Sequence, residues 1–193
     1  TGLDQSRFVL RDRATEKAKL GISGPLILSV GALIPRKGQD LLIAALPDLP
    51  DTILMLAGQG ESENDYRALA ARLGVADRVS FMGSVPHDDL PALFAAADVM
   101  ALVSSSEGLA NAWVEALACG TPIVASDVGG IRELVKTPEA GCIVERNSDA
   151  IAAAIKDILA NPPSREAVAA NVKAFSWNEN ARQLAAFFRS VVV

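Results

Sequence analysis

Apolar positions in this chain alternate between short continuous runs and longer stretches at helical spacing. Leu26-Ile27-Leu28-Ser29-Val30 is too short for a helix and stops at Gly31, so it reads as a buried strand. Residues 52–57, closed by Gly58-Gln59-Gly60, read the same way, as do 78–82, 98–103, 123–125 after Pro122, and 141–144. Between these runs the pattern predicts helices over 38–46, 61–73, 88–96 and 110–119, and a short one from Gly129-Gly130 through Val135. Three more follow over 148–160, 165–174 and 178–190. Gly74 and Gly120 stand where helix C-termini want a left-handed residue. Ahead of the first strand, residues 12–20 form a short helix broken by 21–25.

Strand and helix in alternation with short loops imply a parallel sheet covered on both faces. Right-handed crossovers make it doubly wound, so the fold class is α/β, a Rossmann-like sheet of about six strands. Such sheets bind ligands in the crevice outside the strand C-ends, and the informative residues are expected just after the strands.

A chain of 193 residues is one domain, or one large lobe of a two-domain protein. Half of it is apolar, mostly Ala, Leu and Val, which suits helices packed on a buried sheet. The net charge of −5 argues against nucleic acid, because phosphate neutralisation needs clustered Lys and Arg. It leaves an anionic small molecule open, since a local site can be basic on an acidic protein. Cys119, Cys142 and the single His87 do not make a zinc set, so no metal site is expected. The cysteines read as buried free thiols of a reducing cytosol. There is no apolar run of about 18 residues and no signal-peptide pattern; the location expected from the free thiols is cytoplasmic.

Two segments after strands carry chemistry. Pro35-Arg36-Lys37-Gly38 follows the first strand. Arg can fork across two phosphate oxygens, and Lys is a compact point charge. The pair could also be a solvated basic turn. Cations are disfavoured at a helix N-terminus, and that tilts the reading toward a ligand. Ser104-Ser105-Ser106-Glu107-Gly108-Leu109-Ala110-Asn111 follows the fourth strand. There Gly108 is expected to turn the backbone with positive φ, and the next helix to offer its free N–H groups to an anion. Glu107 could equally be a helix-start charge. Glu115, in a helix otherwise nearly all apolar, must find donors, and ribose hydroxyls would serve. Gly83-Ser84-Val85-Pro86 could present backbone groups to a base or be only a turn. His87 reads as a surface or capping residue rather than a base.

Together these residues resemble the C-terminal, donor-binding domain of a family-4, GT-B-fold glycosyltransferase of the "group 1" kind. The resemblance covers residues 25–190. Glu107 and Glu115 form an E-x7-E element within Ser-Ser-x-Glu-Gly…Asn…Glu-Ala-x-Ala-x-Gly-x-Pro. Val30-Gly31, Arg36-Lys37-Gly38, Ala57-Gly58-x-Gly60, Phe81-Met82-Gly83, Ala97-Asp98-Val99 and Gly129-Gly130-x-x-Glu133 fall in the family's order.

The resemblance implies a role for each matching residue. Glu107 would be the catalytic contact to the donor sugar, and Glu115 would bind the ribose. Backbone N–H groups of Leu109, Ala110 and Asn111, after the Gly108 turn, would hold the diphosphate with Lys37 and Arg36. Gly83 and Val85 would frame the base. Transfer would proceed with retention, without a metal or any cofactor beyond the nucleoside-diphosphate sugar. The resemblance also makes residues 1–24 a linker remnant and 25–193 the donor domain, with the N-terminal acceptor domain absent and the fragment inactive alone. The other partner would then be that missing domain, with membrane association of a parent protein left open. A sugar-nucleotide epimerase lobe of the same fold and a non-catalytic binding module are the alternatives. Two departures stand out. Ala32 replaces an Arg common in the family, and Gly-Leu-Ala-Asn replaces the commoner Gly-Phe-Gly after Glu107. The final stretch, with Phe187, Phe188 and Val191 to Val193, is expected to return toward the missing lobe.

Overall fold

A computed structural model describes residues 3–175. The helix expected over 178–190 and its apolar end lie outside the described residues. Six strands form one sheet: β1 (Leu26–Val30), β2 (Ile53–Ala57), β3 (Val79–Gly83), β4 (Val99–Leu102), β5 (Ile123–Ser126) and β6 (Gly141–Val144). Their order is β3-β2-β1-β4-β5-β6. Every pairing is parallel, as in Ile27 opposite Leu54 and Val99, or Val124 opposite Cys142. This is the doubly wound arrangement, and the chain direction across the sheet reverses between β1 and β4.

Eight helices accompany the sheet among the described residues: α1 (Arg13–Lys19), α2 (Gln39–Ala45), α3 (Glu63–Arg72), α4 (Leu90–Ala96), α5 (Asn111–Ala118), α6 (Ile131–Leu134), α7 (Ser148–Ala160) and α8 (Arg165–Ala170). Both faces of the sheet are covered, and the strand residues show it by alternation. Leu26 and Leu28 of β1, with Met100 and Leu102 of β4, pack in one apolar layer with Leu93 and Phe94 of α4 and with Trp113, Val114 and Leu117 of α5. Ile27, Leu54, Val99 and Ala101 point to the other layer, with Leu42 and Ile43 of α2, Tyr66 of α3 and Ile155 of α7. A side-chain period of two on strands buried on both faces produces this split.

The expected elements appear with two local differences. A 3₁₀ turn, Pro35–Lys37, precedes α2, and Gly38 links the two in the left-handed region with φ 73°. The helix expected over 165–174 stops at Ala170, where Asn171 turns its side-chain amide back onto the carbonyls of Ala167 and Val168. An Asn that competes for the last carbonyls ends a helix readily. The segment before β1 is not a free tail: Leu3, Phe8 and Ile22 are buried in the α5-side layer.

Candidate functional site

β1 and β4 are neighbours, so the loops after them meet at the point where the strand order reverses. Backbone contacts lock them together. Ser105 N–H donates to Arg36 O at 2.8 Å. A Cβ on Gly38 would lie 2.6 Å from Val103 O, so only glycine lets the first loop approach this closely. The loop after β5 closes the third side. Gly130 N–H donates to Gly108 O at 2.9 Å.

Glu107 sits in the middle of this junction, with its side chain 10 % exposed. Its Oε1 accepts from Lys37 Nζ at 2.5 Å and from the Ser104 hydroxyl at 2.7 Å, and Arg36 Nη1 lies 3.5 Å away. Arg36 also donates to Ser106 O. Ser104 is fixed in turn by the Ser126 hydroxyl, which donates to its carbonyl. Burial pushes the Glu107 carboxyl up, but the hydrogen bonds from Lys37 and Ser104, with the charges of Lys37 and Arg36, outweigh it and hold the group below its ordinary value. The sequence pointed Lys37 at a diphosphate and Glu107 at a sugar. In the structure the two are paired with each other.

The Gly108 expectation needs correction. Its φ is not among the positive ones, and a Cβ there would meet nothing within 4 Å. The demanding glycine is Gly129, with φ 55°, where a Cβ would fall 1.9 Å from Gly108 O. The close approach is real, but the neighbouring loop makes it. Leu109 and Ala110 lead into α5, whose N-terminus has no side-chain cap and no acidic residue in its first turn. Exposed Asn111 opens the helix. That end of α5 presents N–H groups and the positive end of the helix dipole beside the cations. Ala32 is exposed beside Gly31, over which the Lys37 stem lies, with Cε 3.7 Å from where a glycine Cβ would be.

Glu115 projects from α5 at another place. Its side chain is 12 % exposed, and its Oε1 is 3.0 Å from His87 Nε2. The loop after β3 therefore folds onto α5. Gly83 turns out of β3 with φ 67° and bridges Gly58, whose N–H donates to its carbonyl at 2.8 Å. Val85 packs on the same apolar layer as Leu109 and Ala110. The structure thus brings the β3 loop, α5, the cation-bearing loop after β1 and the Glu107 loop after β4 to one end of the sheet. His87 is the residue that sequence reasoning undervalued. It precedes Glu115 by 28 positions, and no local pattern signals their contact. Ser104 and Ser126 were also missed as partners of the Glu107 loop.

A sequence model described as "Glycosyl transferases group 1" matches residues 12–175. The chain belongs to this family. It is 39 % identical over 192 residues to a GDP-mannose-dependent alpha-(1-6)-phosphatidylinositol monomannoside mannosyltransferase of Mycolicibacterium smegmatis, covering 91 % of this chain and 50 % of that protein. Among solved structures, a sucrose-phosphate synthase from Thermosynechococcus elongatus superimposes with TM-score 0.86 at 30 % identity, covering 98 % of this chain and 51 % of the other. Anabaena Alr3699/HepE, solved with UDP and glucose, does so with TM-score 0.85 at 29 % identity, covering 98 % and 55 %. The chain spans about half the length of the group 1 relatives it matches. The GT-B architecture expected of a group 1 lobe is the one these structures share.

Proposed function

We propose that this chain is the donor-binding lobe of a glycosyltransferase that moves a sugar from a nucleoside-diphosphate sugar to an acceptor held by a second lobe. One observation carries the reading. Lys37 and Arg36, Glu107 and the uncapped N-terminus of α5 converge where the sheet reverses direction. Two cations and free N–H groups can neutralise a leaving diphosphate, which supports transfer without a metal or other cofactor. Glu107 stands beside that seat, where a donor sugar would follow the diphosphate. Its carboxylate is ionised at neutral pH and can accept from sugar hydroxyls. Glu115 faces the ribose from the middle of α5, and Gly83 and Val85 border the base.

Retention at the anomeric carbon is part of this proposal, carried over from the family resemblance. Departure and attack on one face of the sugar then need only the diphosphate and a fixed acceptor. The missing lobe would supply that acceptor, and residues 1–24 would lead from it, so this chain alone would not transfer. Cys119 and Cys142 are both free, in keeping with a cytoplasmic location. No helix of the described residues is long and apolar enough to cross a membrane. The mannosyltransferase relative acts on a lipid, so the parent protein could work at a membrane face.

Thermal unfolding with GDP, UDP and ADP, each against its monophosphate, tests the site. A ligand at about 100-fold its Kd adds about 2.7 kcal/mol. At this chain length that raises the midpoint by roughly 5–10 °C. One diphosphate is expected to shift the midpoint much more than its monophosphate. Equal shifts for both, or none with any diphosphate in a protein carrying both lobes, would remove the diphosphate assignment.

A further inference from the structure

We infer that His87 is a positioning residue for nucleotide binding: it fixes the Glu115 carboxylate for the ribose, and the segment ahead of β1 fixes His87. The inference rests on the ribose role proposed above for Glu115.

The geometry settles which ring nitrogen carries the proton. Arg7 Nη1 lies 3.2 Å from His87 Nδ1. A guanidinium only donates, so Nδ1 accepts. The ring proton of the neutral imidazole then sits on Nε2, 3.0 Å from Glu115 Oε1, and donates to it. Arg7 is itself paired with Asp88, and its N–H bonds back to Asp4 O at 3.2 Å. Phe8 packs edge-on against the imidazole, with ring centroids 5.3 Å apart and planes at 62°. Phe8 is anchored in the core beside Phe94 of α4, at 6.2 Å. A half-exposed histidine is thus held by a donor, an aromatic edge and an acceptor.

Glu115 needs such a partner. It emerges from a helix face buried with Trp113 and Val114, and among the described residues no other side chain hydrogen-bonds it. The bond takes Oε1, and no hydrogen bond of the described residues reaches Oε2. One oxygen is therefore tied down while the other stays available to a pair of ribose hydroxyls. Holding an acceptor in its bound orientation beforehand removes the ordering cost from the binding step. Residues 4–8 thereby become part of the nucleotide site.

The test compares the nucleoside diphosphate that binds best with its 2′,3′-dideoxy analogue, by titration calorimetry on the chain, His87→Ala and His87→Gln. The chain is expected to prefer the ribonucleotide by roughly tenfold or more, the worth of a hydrogen bond to a charged group. His87→Ala should bring that ratio close to one through weaker ribonucleotide binding, with the dideoxy affinity unchanged. Gln places an amide N–H near the Nε2 position and should restore most of the preference. A purely structural role would weaken both ligands alike. A full preference in His87→Ala overturns the inference and leaves the ribose assignment standing. No preference in the unsubstituted chain overturns both.

A ligand-free readout stands beside it. The chain has one histidine, so its imidazole ¹⁵N signals need no assignment. At mildly alkaline pH they should report the Nε2-protonated tautomer, and Arg7→Met should mix in the other. A dominant Nδ1-protonated ring in the unsubstituted chain would refute the arrangement.

Discussion

Glu107 and Glu115 are nearly equally buried carboxylates with seven residues between them, yet the structure treats them differently. Glu107 lies in a loop at the sheet's reversal point and is gripped by Lys37 and Ser104, with Arg36 nearby. Glu115 lies inside a helix and is met by the single imidazole of His87. The first is an anion in a cationic seat, and its charge is secured. The second is an acceptor whose orientation is secured. A group meant to face developing charge needs a fixed electrostatic setting, whereas a group that reads hydroxyls needs fixed lone-pair directions. On the proposed function, this contrast would separate catalysis from recognition within one helix and the loop before it.

The largest expected effect breaks that contrast directly. In a protein carrying both lobes, Glu107→Gln should lower kcat about 10²–10³-fold, the scale for losing one preorganised electrostatic contact. KM should change little. Glu115→Gln should do the reverse, raising KM roughly tenfold with kcat nearly kept, because it removes binding shared by ground and transition states. Steady-state kinetics on the two variants decides. If both substitutions act on KM alone, the chain is a recognition module and the catalytic reading of Glu107 is lost.

Much of this architecture is legible in the sequence, for physical reasons. Short apolar runs ending at Gly31, Gly58 and Gly83 mark strands whose side chains pack on both faces, and the alternating burial of β1 and β4 is that pattern realised. Placing Lys37 and Glu107 after strands put both at the correct end of the sheet. That they touch depends on β1 and β4 being neighbours, a property of topology rather than of either segment. His87 was read as a surface or capping residue because nothing local ties position 87 to position 115. Only the fold of the β3 loop onto α5 does so. Gly108 was misjudged because a glycine's sequence context shows that the backbone is free to turn, not which of two approaching loops needs the freedom. Gly129 needs it.

A smaller effect sharpens the electrostatic half of the comparison. Glu107 is held below its ordinary carboxyl value when folded. Its contribution to stability is therefore complete above the unfolded value of about 4.3 and is lost as pH falls through the lower folded value. Melting temperatures should stay level from neutral pH to about pH 5 and fall on further acidification. Several exposed carboxylates, such as Asp12 and Asp127, are lowered too and contribute to the same fall. Glu107→Gln, which cannot ionise, isolates the one group: its acid limb should be shallower than that of the unsubstituted chain. Identical limbs would mean that the Lys37 pair forms without stabilising the folded state.

The smallest expected effect concerns the loop between the two carboxylates. Gly108 has ordinary backbone geometry and open space where a Cβ would go. Alanine there adds no clash and reduces the freedom of the unfolded chain, a gain that reaches about 0.4–1 kcal/mol at compatible sites. Gly130 N–H already binds Gly108 O, so the loop is held by its carbonyl and not by the absence of a side chain. Gly108→Ala should accordingly leave urea-unfolding stability within about 0.5 kcal/mol, or raise it slightly, with an unchanged m-value. A loss above about 1.5 kcal/mol would show that the loop in solution uses the left-handed conformation that strains alanine. The loop's conformation, and with it the orientation of Glu107 toward Lys37, would then differ from the one that makes Glu107 the electrostatic member of the pair.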